Sequence, residues 1–198
     1  MKTGRQTQNV STMSITQLTL ISPSTLEIGG KTFACSIGRG GIAPVGEKRE
    51  GDLKTPSGEF ALRCCYYRPD RMEAPKTALP LIALTPNDGW CDDPVHAFYN
   101  QPVKLPFASR HETLWREDHV YDLIIPLGYN DGIEGPIIKG AGSAIFMHLM
   151  RDDGVGTEGC VALSREDLLA LLSRVGMHAS LTIDASHAAI VAGTTRHS

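Results

Sequence analysis

A histidine and a cysteine in the last third of the chain have the types and spacing for nucleophilic catalysis. His148 closes the apolar run Ser143-Ala-Ile-Phe-Met-His148, and Cys160 follows Thr157-Glu-Gly159, twelve positions further on. A thiol near neutral pH is only a few per cent thiolate, so a nucleophilic cysteine needs a base within hydrogen-bond reach. Two neighbouring strands joined by a loop can deliver one. Gly159 adds a second benefit: with no side chain before the nucleophile, the backbone can turn so that the amides of Gly159 and Cys160 face a developing oxyanion. For an arbitrary pair the commoner arrangement is a buried cysteine beside a satisfied core histidine. The local sequence around this pair favours catalysis.

Positioning both groups takes a sheet. Short β-rich runs recur at residues 17–21, 32–37, 59–67, 79–84, 120–126, 144–149, 160–163 and 180–183, separated by Gly, Pro, Asn and Asp clusters. One helix is expected over about 164–176: Ser164-Arg-Glu-Asp167 is a capping-box-like start, Leu168, Leu169, Leu171, Leu172 and Val175 form one stripe, and Gly176 suits the C′ position. Seven of the twelve prolines lie between Pro69 and Pro106, which predicts an irregular, ring-rich segment that either walls a cleft or merely connects. The fold class expected is mainly β, a small barrel or sandwich with that one helix packed on it. The folded domain spans 15–184, with 1–14 and 185–198 as mobile ends.

Composition narrows the function. At roughly 100 to 200 residues per domain, 198 residues argue for one domain and one active site. Apolar residues at 41% and charged residues at 21% are ordinary globular usage, which excludes a disordered or fibrous chain. A net charge of -3 lacks the basic footprint of phosphate-backbone binding, so nucleic acid is not an expected partner. No run reaches the ~18 apolar residues of a membrane span. Met1-Lys-Thr-Gly-Arg-Gln is basic but lacks the apolar stretch of a secretory signal, so the residues alone point to cytoplasm. Five cysteines, an odd number without framework spacing, imply at least one free thiol.

Other motifs fall to simpler readings. Gly38-Arg-Gly40-Gly-Ile-Ala43 fits the string of a dinucleotide fingerprint, but Pro44, Gly46, Gly51, Pro56 and Gly58 forbid the helix that would cradle pyrophosphate. No cofactor is expected, and Gly51 to Phe60 reads as a tight turn feeding a strand. The acidic pairs Asp92-Asp93 and Asp152-Asp153 read as solvated loop acids. Without C-x-x-C or H-E-x-x-H, no metal is expected either.

These residues carry a family resemblance. His148 followed by Thr157-Glu-Gly159-Cys160-Val resembles the YkuD-type L,D-transpeptidase motif, a His preceding a Ser/Thr-x-Gly-Cys-Ile/Val run. Gly51-Asp-x-x-Thr55-Pro-x-Gly58-x-Phe60 is similar to the turn near the front of that domain. Leu114-Trp-Arg-Glu-Asp-x-x-Tyr121-Asp with Gly128-Tyr-Asn130 resembles a short proteobacterial branch. The resemblance, over about residues 15–184, implies Cys160 as nucleophile, His148 as base and the Thr157 neighbourhood as the group orienting the imidazole. It implies peptidoglycan stem peptides and glycan as substrate, carbapenem-type β-lactams as inhibitors, and a periplasmic location although no signal is visible. Tyr129, Asn130, Trp115 and His111 become candidates for substrate contact, and Trp90, Phe98 or Tyr99 for stacking on sugar faces. Two departures stand out: Ala162 where many members carry Arg, and Glu158 beside the thiol, able to raise its pKa. The missing Arg leans toward 1-3 links, from L-Ala to diaminopimelate, over 3-3 links, because a non-terminal donor offers no carboxylate to clamp. One alternative keeps the same residues, a peptidoglycan or lipoprotein-linkage hydrolase in which water resolves the thioester; another is a non-catalytic wall-binding module in which His148 and Cys160 are relics.

Overall fold

Apolar side chains alternate with period two in β2 (Thr25–Ile28), whereas the runs at 123–126, 146–149 and 161–163 are buried on both faces. The computed structural model describes residues 15–186, so the expected mobile ends lie outside it apart from Ala185 and Ser186. In chain order the elements are β1 (Ile15–Ser22), β2 (Thr25–Ile28), β3 (Lys31–Ser36), β4 (Ile42–Ala43), β5 (Thr55–Pro56), β6 (Gly58–Ala61), β7 (Cys65–Tyr67) and β8 (Leu81–Ala83). Then come β9 (Asp88–Cys91), β10 (Gln101–Lys104), β11 (His111–Thr113), β12 (Leu123–Pro126), β13 (Phe146–Leu149), β14 (Val161–Leu163), the helix α1 (Arg165–Leu172) and β15 (Val175–Ile183). The mainly β architecture with one helix is as expected.

The large sheet runs β6-β15-β1-β2-β3-β14-β13-β12-β7-β8. The run expected as one strand over 59–67 breaks into β6 and β7, and this break turns a corner. Leu62 donates to Ala179 O on one side while Arg63 donates to Pro126 O on the other, and Leu62 bridges Leu127. One continuous segment therefore pairs with both β15 and β12 and draws the sheet round on itself.

The interior holds Leu18, Leu20, Leu26, Ile28, Leu123, Ile125, Met147 and Leu163, joined by Leu168, Leu171 and Leu172 of α1. Burying each such side chain is worth about 1.5 to 3 kcal/mol, which holds the helix on the sheet. Ser164 caps α1, its hydroxyl accepting from Asp167 N at 3.1 Å and donating to Asp167 Oδ2 at 2.8 Å. The helix is shorter than its stripe suggested: it stops at Leu172, Ser173 takes the C-cap, and Gly176 belongs to β15.

Part of the proline-rich segment is more ordered than expected. Strands β10-β9-β11 form a separate antiparallel sheet that covers the outer face of β12 and β13. Trp90 packs edge-on against Phe146 with ring centroids 5.0 Å apart, in a second core with Leu84, Leu114, Ile124 and Tyr121.

Candidate active site

Alternation along β13 sends Met147 and Leu149 into the main core and Phe146 and His148 to the opposite face. Strand β14 runs parallel to β13 with His148 opposite Ala162, so Cys160, two positions before Ala162, falls on the face that carries Phe146 and His148. Parallel neighbours usually need a longer crossover; here strands of four and three residues let the loop 150–160 make the return. That loop leans on the end of β3: Thr157 N donates to Ile37 O and Arg39 N to Thr157 O, both at 2.9 Å.

Cys160 is held by the chain leading into β13. Its thiol donates to Ala144 O at 3.2 Å and its sulfur accepts from Phe146 N at 3.3 Å. Ala144 has φ +52, a left-handed conformation costing about 1 to 2 kcal/mol for a residue with a Cβ. Asn100 keeps it there. The buried Asn100 Oδ1 accepts from Ala144 N and Trp90 Nε1, each at 2.9 Å, and its Nδ2 donates to the carbonyls of Tyr129 and Asn130. This fully satisfied amide was missed in the sequence; its neighbour Trp90, an indole needing a buried acceptor, was the available signal.

His148 Nδ1 lies 2.8 Å from Leu149 O. A carbonyl only accepts, so Nδ1 carries the hydrogen and Nε2 is left as the basic nitrogen. Burial pushes the imidazole pKa down to about 4, and burial pushes the Cys160 thiol up to about 12, helped by the nearby Glu112 carboxylate. The resting pair is therefore neutral thiol and neutral imidazole.

The turn before Cys160 is fixed by close packing. Gly159 has φ +141, and a Cβ there would lie 2.9 Å from Lys54 O. Gly38 and Gly40 serve the same contact, since a Cβ on either would strike the carbonyls of Leu53 and Asp52. The Gly-rich string is thus the seat of the 51–55 turn behind the thiol. Thr157 acts differently from the expectation: its Oγ1 donates to Cys160 O at 2.6 Å and accepts from Gly159 N at 3.2 Å. It ties the nucleophile turn, while Leu149 orients the imidazole. The Gly159 amide, expected to face an oxyanion, is occupied by the Thr157 hydroxyl instead.

Cys160 and His148 open into a cavity of about 590 Å³ lined by Tyr121, Glu112, Arg116, Arg39, Arg151 and Lys48 among others. Tyr121 links its parts: its hydroxyl donates to Glu112 Oε2 at 2.6 Å, its ring lies 5.5 Å from the imidazole, and Arg116 sits over its face. Glu158 points to Arg39, 2.9 Å away, so its influence on the thiol is small. Ala162 is buried beside His148.

None of the four expected substrate contacts lines this cavity. Tyr129 donates its hydroxyl to Ala141 O at 2.6 Å, and Asn130 ties the backbone of Ile138 and Gly142; both border a separate cavity of about 550 Å³. Trp115 is covered by the Arg68 guanidinium, 3.7 Å from the ring centroid. His111 bonds Ser109 O and packs on Phe107. Polar, ring-rich loops signalled surface position but not which side of the sheet. Trp90 and Tyr99 are buried and offer no stacking face, whereas Phe98 is exposed. Among the described residues no group of three or more His, Cys, Asp or Glu is placed to hold a metal ion.

A family model described as the L,D-transpeptidase catalytic domain, YkuD, matches residues 19–183. No curated protein and no solved structure matches the chain.

Proposed function

The chain belongs to the YkuD family, cysteine-dependent L,D-transpeptidases acting on peptidoglycan, and from that premise we propose that it forms peptidoglycan cross-links through a thioester on Cys160. The observation carrying this reading is that Cys160 and His148 share one face of β13 and β14 in one cavity, with His148 Nε2 left as the base.

The sulfur attacks a stem-peptide carbonyl carbon, and the thiol proton passes through His148 Nε2 to the leaving amine as the C–N bond breaks. With Gly159 N held by Thr157, the Cys160 amide supports the oxyanion. A neighbouring diaminopimelate amine then attacks the thioester. Its proton returns through His148 to sulfur, the C–S bond breaks and the link closes. A neutral resting pair suits this relay, because no buried charge is carried between turnovers.

The donor carbonyl is that of L-Ala, giving 1-3 links. Supporting this, position 162 supplies no guanidinium, and the cavity arginines Arg39, Arg116 and Arg151 already pair with Glu158, Asp118 and Asp153. No unpaired arginine among the described cavity residues awaits a terminal carboxylate. Peptidoglycan as substrate supports a periplasmic location, and carbapenem-type β-lactams are the expected acylating agents of the same thiol.

Mass spectrometry of disaccharide-tripeptides and tetrapeptides incubated with the protein, with Cys160→Ala as control, tests the reading. Dimers joined through L-Ala and absent with the variant are expected. Trimmed monomers alone would make it a hydrolase, and no product with either protein would leave a binding module.

A further inference from the structure

Glu112 is the cavity carboxylate that weighs most against the nucleophile: after burial, its charge is the largest influence holding the thiol up. The other acids on the wall are engaged. Glu158 pairs with Arg39, Asp153 with Arg151 and Asp92 with Arg110, while Glu50 accepts from Tyr99 and Ser143. Glu112 accepts only the Tyr121 hydroxyl, and among the described residues it forms no ion pair. Burial also pushes its own carboxyl pKa up. Arg116 acts on it from a distance but pairs with Asp118, and a sheltered carboxylate with no cation in contact costs stability, and beside this thiol it costs reactivity too. Such a group is accounted for if a cation visits during the reaction.

Its placement fits one visitor. Tyr121 holds Glu112 by its hydroxyl and packs its ring against His148, so a group docked on Glu112 lies on the side of the base. Resting on the transfer reaction above, we infer that Glu112 is the anionic subsite for the acyl acceptor, binding a primary amine as its ammonium and selecting it over water and neutral nucleophiles. Loss of one proton from the ammonium to solvent gives the neutral amine, and bond-making then follows the route through His148. Tyr121 is the positioning residue for that carboxylate.

The test separates the two half-reactions in the full chain. Cys160 acylation by a carbapenem is followed by intact mass, and the acceptor KM is measured with a diaminopimelate-containing disaccharide-tripeptide. Glu112→Gln keeps an acceptor for Tyr121 but removes the charge. Acylation is expected to speed up as the thiol is relieved, while the acceptor KM rises about tenfold and loses its dependence on salt. Opposite movements of the two readouts are not what a structural lesion produces, and Glu112→Asp should recover part of the KM. An unmoved KM with acylation intact would overturn the subsite alone; acylation and transfer falling together would also overturn it. Absence of both acylation and dimers in the wild type would overturn the transfer reaction and the subsite with it. Independently of any variant, a short alkylammonium should inhibit wild-type transfer and its isosteric alcohol should not; equal inhibition would count against Glu112.

Discussion

His148 donates through Nδ1 to the carbonyl oxygen of Leu149, its own neighbour, at 2.8 Å. The bond fixes the tautomer, but burial outweighs it and holds the imidazole at a pKa of about 4, below the ordinary 6.5. Between those two values the unfolded chain binds a proton that the folded chain refuses. The share of stability that His148 contributes must therefore rise with pH across that window and fall as pH drops through it, by on the order of 3 kcal/mol, while the raised Glu112 carboxyl works in the opposite sense. Denaturant unfolding of wild type and His148→Gln from pH 4 to 7 should show this slope in the difference between the two.

The thiol makes the complementary prediction. A pKa of about 12 leaves Cys160 almost wholly protonated at pH 8. Alkylation by iodoacetamide, mapped to the peptide holding Cys160, should be slow at pH 8 and still climbing at pH 10. A plateau near pH 7 would mean that the resting pair is an ion pair instead.

Thr157 has one hydroxyl serving two backbone groups of the nucleophile turn. Thr157→Val should cost about 1 to 3 kcal/mol, since Gly159 N loses its partner in a buried place. Carbapenem acylation should slow with it, and Thr157→Ser should restore both. The stability slope between pH 4 and 7 should not change, because the imidazole is held by Leu149.

The pair and its strands were legible because alternation and a glycine before a cysteine are local signals. All eight expected β runs contain strands, and α1 starts at its expected cap. What escaped was non-local. Strands β9 to β11 are three or four residues long and rich in polar residues, with Pro102 inside β10, so no periodicity betrayed them. Yet that small sheet carries Glu112 to the cavity and Trp90 onto Phe146. Asn100 escaped for a related reason: its partners Trp90, Ala144, Tyr129 and Asn130 come from three stretches that only the fold unites. Trp115 and His111 were expected at the site because they lie in polar loops resembling the family's cleft, and a polar loop does not fix which face of a sheet its side chains reach.

Gly159 makes the sharpest backbone prediction. Its φ of +141 disfavours any side chain, and an added Cβ would meet Lys54 O at 2.9 Å and Ile145 Cδ1 at 3.1 Å. Neither neighbour can yield cheaply, one being backbone and the other core. Gly159→Ala should destabilise the fold by about 1 to 3 kcal/mol and abolish carbapenem acylation, because the turn carrying the sulfur has to move.

Asn130 separates a fold residue from a substrate contact. Its φ is +51, its Nδ2 donates to the carbonyls of Ile138 and Gly142, each at 3.0 Å, and its Oδ1 accepts from Ile138 N at 2.7 Å. Asn130→Ala loses these bonds and keeps the backbone strain, whereas Asn130→Gly loses the bonds but relieves the strain. Thermal unfolding should rank wild type above the glycine variant and the glycine variant above the alanine one, with the two substitutions separated by about 1 kcal/mol. The donor KM of either folded variant should stay within about twofold of wild type, since Asn130 borders a different cavity from Cys160. A tenfold rise in the donor KM with the glycine variant still well folded would return Asn130 to the substrate site, and the second cavity with it.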